Sequence, residues 1–279
     1  MIARAFLRSS NRVRRFRLRA ATQTGPDPQE WLRDHRPCSY WVATRRPFPS
    51  LLFVAPLAIA YELAVLGLSG AHAGLELRTG ADIWLRHALA ALGLADPWFL
   101  PLLLVVILMG WQVSRSHDWR FSPAILAGMI VESVTWAVAL LGIGRLIDLG
   151  FAFLDQGRLP MLMTGPTAPD PRITALIGYL GAGIYEETLF RLILVPVLFG
   201  LLRLLQMPQV LASSWAVTAS ALLFALAHHA GCPTETFTWY AFIFRWMAGV
   251  FFAWVFVIRG FGIAVGTHTA YDLLVGWMG

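Results

Sequence analysis

Lysine is absent from this sequence, and all 22 basic residues are arginine. That usage reads as the mark of a GC-rich bacterial genome rather than of a function. Charge is scarce altogether. Only 14% of the 279 residues are charged, against about 25% in a soluble domain, which is too few to cover a water-facing surface. Cysteine is scarcer still. Cys38 and Cys232 lie far apart with no C-x-x-C spacing, which argues against a disulfide framework and a zinc knuckle and leaves two isolated thiols. No internal repeat is visible, which disfavours a transporter built from duplicated halves. Residues 1–46 hold no apolar core of signal-peptide length, which argues against cleaved secretion.

What is abundant is apolar residues, at 57% of the chain, gathered in long runs. A helix needs about 20 mostly apolar residues to cross the hydrocarbon of a bilayer. Runs near that length occur at about Leu51–Leu68, Trp98–Trp111, Pro123–Leu141, Ile173–Leu205, Ser213–His229, Phe237–Ile258 and Phe261–Trp277. Ile83–Leu94 is amphipathic and too short to cross. The longest polar loop is expected over about Arg145–Arg172. Pro196 interrupts the fourth run and either bends it or splits it in two, because proline removes a helical hydrogen bond. The expected fold is therefore all-α: a polytopic integral membrane helix bundle of seven or eight transmembrane helices.

Residues 1–46 differ from the rest. Seven arginines, from Arg4 to Arg19, precede the first acid, Asp27, and half of all the arginines lie before residue 47. An organelle transit peptide is one reading. The plainer one is a cytoplasmic basic segment against anionic lipid, with the N-terminus cytoplasmic in a cell membrane, a bacterial inner membrane if the host is bacterial. The chain divides into this segment (1–46), a set of N-terminal helices and loops (47–171), and a C-terminal helix bundle (172–279).

Ionisable groups inside apolar spans are costly, so each one needs a reason. Glu62, Glu132 and Arg245 occur singly and read as hydrogen-bonded interior groups. The last hundred residues instead hold three polar clusters. The first includes Tyr185-Glu186-Glu187 and Arg191. Adjacent helical residues are about 100° apart and residues four apart nearly coincide, so Glu187 and Arg191 can pair. Glu186 then has no partner on its own helix and is a candidate general base, or both glutamates merely fix packing through arginines. The second cluster is Phe224-Ala-Leu-Ala-His228-His229, where a histidine is a ligand or a satisfied interior group. The third is His268-Thr-Ala-Tyr-Asp272, whose His268 and Asp272 share a face. All three are explained together if their helices converge on one polar cavity.

Glu-Glu-x-x-x-Arg, then Phe-x-x-x-His, then His-x-x-x-Asp on successive apolar helices resembles the CPBP (ABI) family of intramembrane endopeptidases. That family includes the type II CAAX prenyl endopeptidases. The resemblance covers about residues 172–277. It implies that Glu186 and His228 activate the attacking water, and that His268 and Asp272 support the developing oxyanion. Glu187 and Arg191 would hold the helix of Glu186, with His229 a spare. The familiar form has Asn at the position of Asp272, and an ionised carboxylate cannot donate to an oxyanion. Asp272 is then protonated, orients His268, or binds a metal. No cofactor is the preferred expectation. The alternative is zinc or another divalent metal at Glu186, His228, His268 and Asp272, but no His-Glu-x-x-His pair supports it independently.

The implied activity is cleavage of a peptide bond in a membrane-associated protein or peptide, with the bilayer as the other partner and no nucleic acid. Two other functions remain open: a non-catalytic scaffold or immunity-type partner with the same fold, and an ion or small-molecule transporter.

Overall fold

The computed structural model describes residues 39–68, 77–119, 122–154, 171–230 and 237–278. Residues 1–38, both cysteines and residues 155–170 of the polar loop lie outside the described residues. Among the described residues every regular element is helical.

A short turn, α1 (Tyr40–Ala43), leads into α2 (Pro47–Leu68). Pro47 and Pro49 sit in the first turn of α2, where backbone N–H groups have no intrahelical partner to lose. The amphipathic segment forms α3 (Gly80–Ala91), which buries Ala81, Leu85 and Leu89 at helical spacing. Next come α4 (Phe99–Ser114) and α5 (Pro123–Leu154).

The length of α5 corrects the sequence reading, which ended this span at Leu141 and began a loop at Arg145. Arg145 and Asp148, inside the expected loop, lie on the helix instead, with Arg145 Nη1 3.8 Å from Asp148 Oδ2 one turn on. Leu146, Leu149 and Phe153 continue an exposed apolar surface along the same helix.

The fourth run begins with α6 (Pro171–Gly181) and continues through two π-helical stretches, Ala182–Glu186 and Thr188–Leu194, into α7 (Val195–Leu204). The chain stays helical through Pro196, which stands in the first turn of α7. The second π-helical stretch ends just before it, with Val195 N–H bonded to Phe190 O five residues back. Proline has no hydrogen to give, so the change of hydrogen-bond register falls where one bond is already missing. Wider turns of this kind occur frequently at functional sites.

The last three helices are α8 (Gln209–Ala230), α9 (Trp239–Arg259) and α10 (Phe261–Met278). A single residue, Gly260, joins α9 to α10. Its φ of +98° is open to glycine and strained for any other residue, and a Cβ there would lie 2.8 Å from Thr44 O. The first half of α10 is buried almost without interruption, and the helix packs against α2, α5, α9 and the first π-helical stretch. It is the central post of the bundle.

Among the described residues, four helical segments are long and apolar enough to cross a membrane: Pro47–Leu68, Pro123–Phe153, Gln209–His229 and Trp239–Arg259. Phe99–Ser114 is apolar but shorter. Thr267, His268, Thr269 and Asp272 dilute the apolar character of α10. Large apolar side chains cover the outside of the bundle, with Phe153 85%, Leu204 78% and Trp277 90% exposed. Exposure on that scale suits lipid rather than water. The protein is a helical membrane protein.

Candidate active site

Three consecutive residues around the junction of the π-helical stretches reach three different partners. The Tyr185 hydroxyl donates to Glu62 Oε1 on α2 at 2.6 Å. Glu186 faces two histidines, and Glu187 faces Arg191 and His268. Successive helical side chains diverge by about 100°, so one turn can serve three directions.

The Glu187–Arg191 pair expected from the spacing is present, with Oε1 and Nη1 3.0 Å apart and both side chains almost wholly buried. Arg191 Nη2 also donates to Gly249 O at 3.2 Å, and the guanidinium lies 4.5 Å above the Phe224 ring. A buried arginine thus has a carboxylate, a carbonyl and an aromatic face, which together offset its desolvation. Gly249 lets α9 cross close to α8, because a Cβ there would come within 3.0 Å of Ala221 Cα on α8.

His268 comes from the buried half of α10. Its Nδ1 is 2.8 Å from Glu187 Oε1, and since an ionised carboxylate has no hydrogen, Nδ1 donates. Its ring stacks on Phe252 at 4.4 Å and 12°. That leaves Nε2 3.8 Å from Glu186 Oε2 and 3.6 Å from Asp272 Oδ2. A Cβ on Gly183 would fall on Thr269 Oγ1 and lie 2.9 Å from the Thr269 backbone nitrogen. The absence of a side chain at Gly183 therefore lets α10 bring His268 to the glutamates.

His228 arrives from the last turn of α8. Its Nδ1 is 2.9 Å from Phe224 O, a carbonyl, so this nitrogen also donates. In neutral imidazole Nε2 is then an acceptor, and it lies 3.7 Å from Glu186 Oε2. Glu186 Oε2 is buried and makes no hydrogen bond among the described residues. Separations of 3.6–3.8 Å are too long for direct hydrogen bonds and short enough for one small molecule to bridge.

Glu186, Glu187, Arg191, His228, His268 and Asp272 therefore form one connected polar cluster. Exposure grades across it: the side chains of Glu187 and Arg191 are closed off, while those of Asp272 and His228 are 21% and 29% exposed. His229 packs against Phe237 and Phe242. Among the described residues, no group of three or more His, Cys, Asp or Glu is arranged to hold a metal ion.

The single charges also have partners. Glu132 receives hydrogen bonds from Tyr40, Trp136 and Arg259. Glu62 pairs with Arg78 and Arg86. The sequence reading assigned no role to Gly183, Gly249, Phe252 or Tyr185, and it missed the His268–Glu187 bond. Glycines at close helix crossings in an apolar run were the available signal.

Fold and site together define a polytopic helical membrane protein with a glutamate–histidine cluster inside its bundle. Residues 168–274 match the family model described as Rce1-like, Type II CAAX prenyl endopeptidase Rce1-like, in agreement with the resemblance carried by the three motifs. The match points to CAAX-type intramembrane protease activity, hence to a protein or peptide substrate. Comparison with curated proteins and with solved structures found no match.

Proposed function

We propose that the protein is an intramembrane endopeptidase in which Glu186 and His228 activate the water that attacks a peptide carbonyl. The observation that carries this reading is the unbonded Glu186 Oε2, 3.7 Å from His228 Nε2. Both atoms are acceptors when Glu186 is ionised and His228 neutral. A water about 2.8 Å from each would give one hydrogen to each and turn its lone pair outward. Attack on the carbonyl transfers a proton to this pair and leaves a tetrahedral oxyanion.

His268 and Asp272 belong to the same cluster and support that oxyanion. With Nδ1 already donating to Glu187, the doubly protonated form of His268 also has an Nε2–H to offer. Asp272, four residues on, orients that ring by charge across 3.6 Å rather than by a direct hydrogen bond, which fits an acid where the family more often has an amide. Glu187 and Arg191 hold the carboxylate-bearing turn. Collapse of the intermediate returns the proton to the leaving amine.

The substrate class is a membrane-associated protein or peptide, reached from the exposed His228 side. The test uses purified protein in liposomes with a CaaX peptide carrying or lacking a prenyl group, and membrane proteins from the host as the wider substrate pool. Wild type is expected to cleave, and Glu186→Ala and His228→Ala to insert normally without cleaving. Unchanged cleavage by either variant overturns the assignment. Cleavage lost to a chelator and restored by zinc would replace the activated free water with a metal-bound one.

A further inference from the structure

A second buried ionic cluster lies on the other side of the motif helix. Glu62 of α2 and Asp82 of α3 face Arg78 and Arg86. Asp82 accepts from Arg78 at 2.7 Å and from Arg86 at 2.6 Å. Glu62 accepts from Arg86 at 2.5 Å and from Arg78 at 3.3 Å. Two tyrosines complete it: Tyr61 donates to Asp82 at 2.7 Å and Tyr185 to Glu62 at 2.6 Å. Their rings meet edge to face at 5.4 Å.

Two acids and two arginines balance, and each carboxylate is bridged by both guanidiniums. Arg86 is further tied to Pro97 O at 2.6 Å. So closed a network has little freedom to rearrange. Of its six members only Tyr185 belongs to the motif helix, and Tyr185 directly precedes Glu186. A helix turned about its axis would carry Glu186 away from the histidines and Tyr185 away from Glu62 together.

We propose that the Tyr185–Glu62 bond is a rotational lock, with Tyr185 the positioning residue that sets the direction of Glu186 toward His228 and His268. The proposal rests on the protease reading above. In it, α2 and α3 act in the reaction by fixing the angle of the base, although neither supplies a residue to the glutamate–histidine cluster. The lock acts on geometry, and misplacement of a catalytic group by about 1 Å can cost about 100-fold in rate.

The experiment compares two matched deletions of one oxygen, Tyr185→Phe and Tyr61→Phe, in the full chain in liposomes, with Glu186→Gln as the reference. Both tyrosines are buried and each donates to one carboxylate of the same cluster, so a purely structural role predicts equal effects. The expected result is a similar fall in melting temperature for both. Only Tyr185→Phe should lose kcat, about tenfold, with KM near wild type. In a Glu62→Leu background, Tyr185→Phe should add no further loss, because its partner is already gone.

Equal kcat losses in the two tyrosine variants, or additive losses of Tyr185→Phe and Glu62→Leu, overturn the lock. So does wild-type kcat in Tyr185→Phe. If Tyr185→Phe fails to accumulate, Glu62→Gln and Glu62→Leu decide, since Gln keeps an acceptor for the hydroxyl: equal kcat in those two overturns the lock. A wild type that cleaves no better than Glu186→Gln marks failure of the protease reading itself, and the lock falls with it.

Discussion

Two buried polar clusters flank the motif helix, and they are built in opposite ways. The one around Glu62 and Asp82 is charge-balanced, and both carboxylates are bridged by arginine and capped by tyrosine at 2.5–3.3 Å. The one around Glu186 holds three carboxylates and two histidines against a single arginine, at separations of 3.6–3.8 Å across its open part. Burial alone does not distinguish them. Closure does. A cluster that satisfies every acceptor acts only through the positions of the helices it holds, whereas one that leaves a carboxylate oxygen unbonded beside a histidine nitrogen has capacity for a reacting molecule.

The largest effect should come from breaking the open cluster. Glu186→Gln keeps the shape and removes the base, so the cleavage rate should fall about 10²- to 10⁴-fold with the melting temperature near wild type. Steady-state cleavage and thermal unfolding on the same sample measure both. A variant that loses folding instead would make the open cluster structural.

The closed cluster should answer in the opposite currency. Asp82→Ala leaves two buried guanidiniums sharing one carboxylate, and unfolding free energy should drop by about 3–5 kcal/mol. Denaturation in mild detergent reads it. Little change in stability would show that water already reaches these groups.

Gly183→Ala addresses the seam between the regions. The added methyl falls on Thr269 next to His268, at a cost of about 1–3 kcal/mol from overpacking, together with a loss of activity. A Gly183→Ala enzyme with wild-type kcat would mean that α10 need not approach so closely. His229→Ala should do least, leaving the cleavage rate near wild type, because this ring packs on Phe237 and Phe242. A large rate loss there would extend the site beyond His228.

Much of this was legible in the sequence where the physics is local. Glu187 and Arg191 pair because they stand four apart on one helix, and His268 faces Asp272 for the same reason. The motif order was enough to suggest that Glu186, His228 and His268 meet. Spacing did not reveal that His268 uses its other nitrogen on Glu187, because that bond joins residues 81 apart. The start of the expected loop was placed too early for a related reason: Arg145 and Asp148, which fall inside it, lie instead on a helix that runs on to Leu154.

Sequence by itself determined that the chain inserts in a bilayer, since too few charges and several long apolar runs leave no other solvent for it. It also determined which residues carry an unavoidable cost unless they meet partners. Tertiary structure alone decided which partners those are: Glu62 with Arg78 and Arg86, Glu132 with Arg259, Glu186 with two imidazoles. The reason is that desolvation belongs to a residue's own chemistry, whereas its compensation depends on the rotation and approach of helices far apart in the chain.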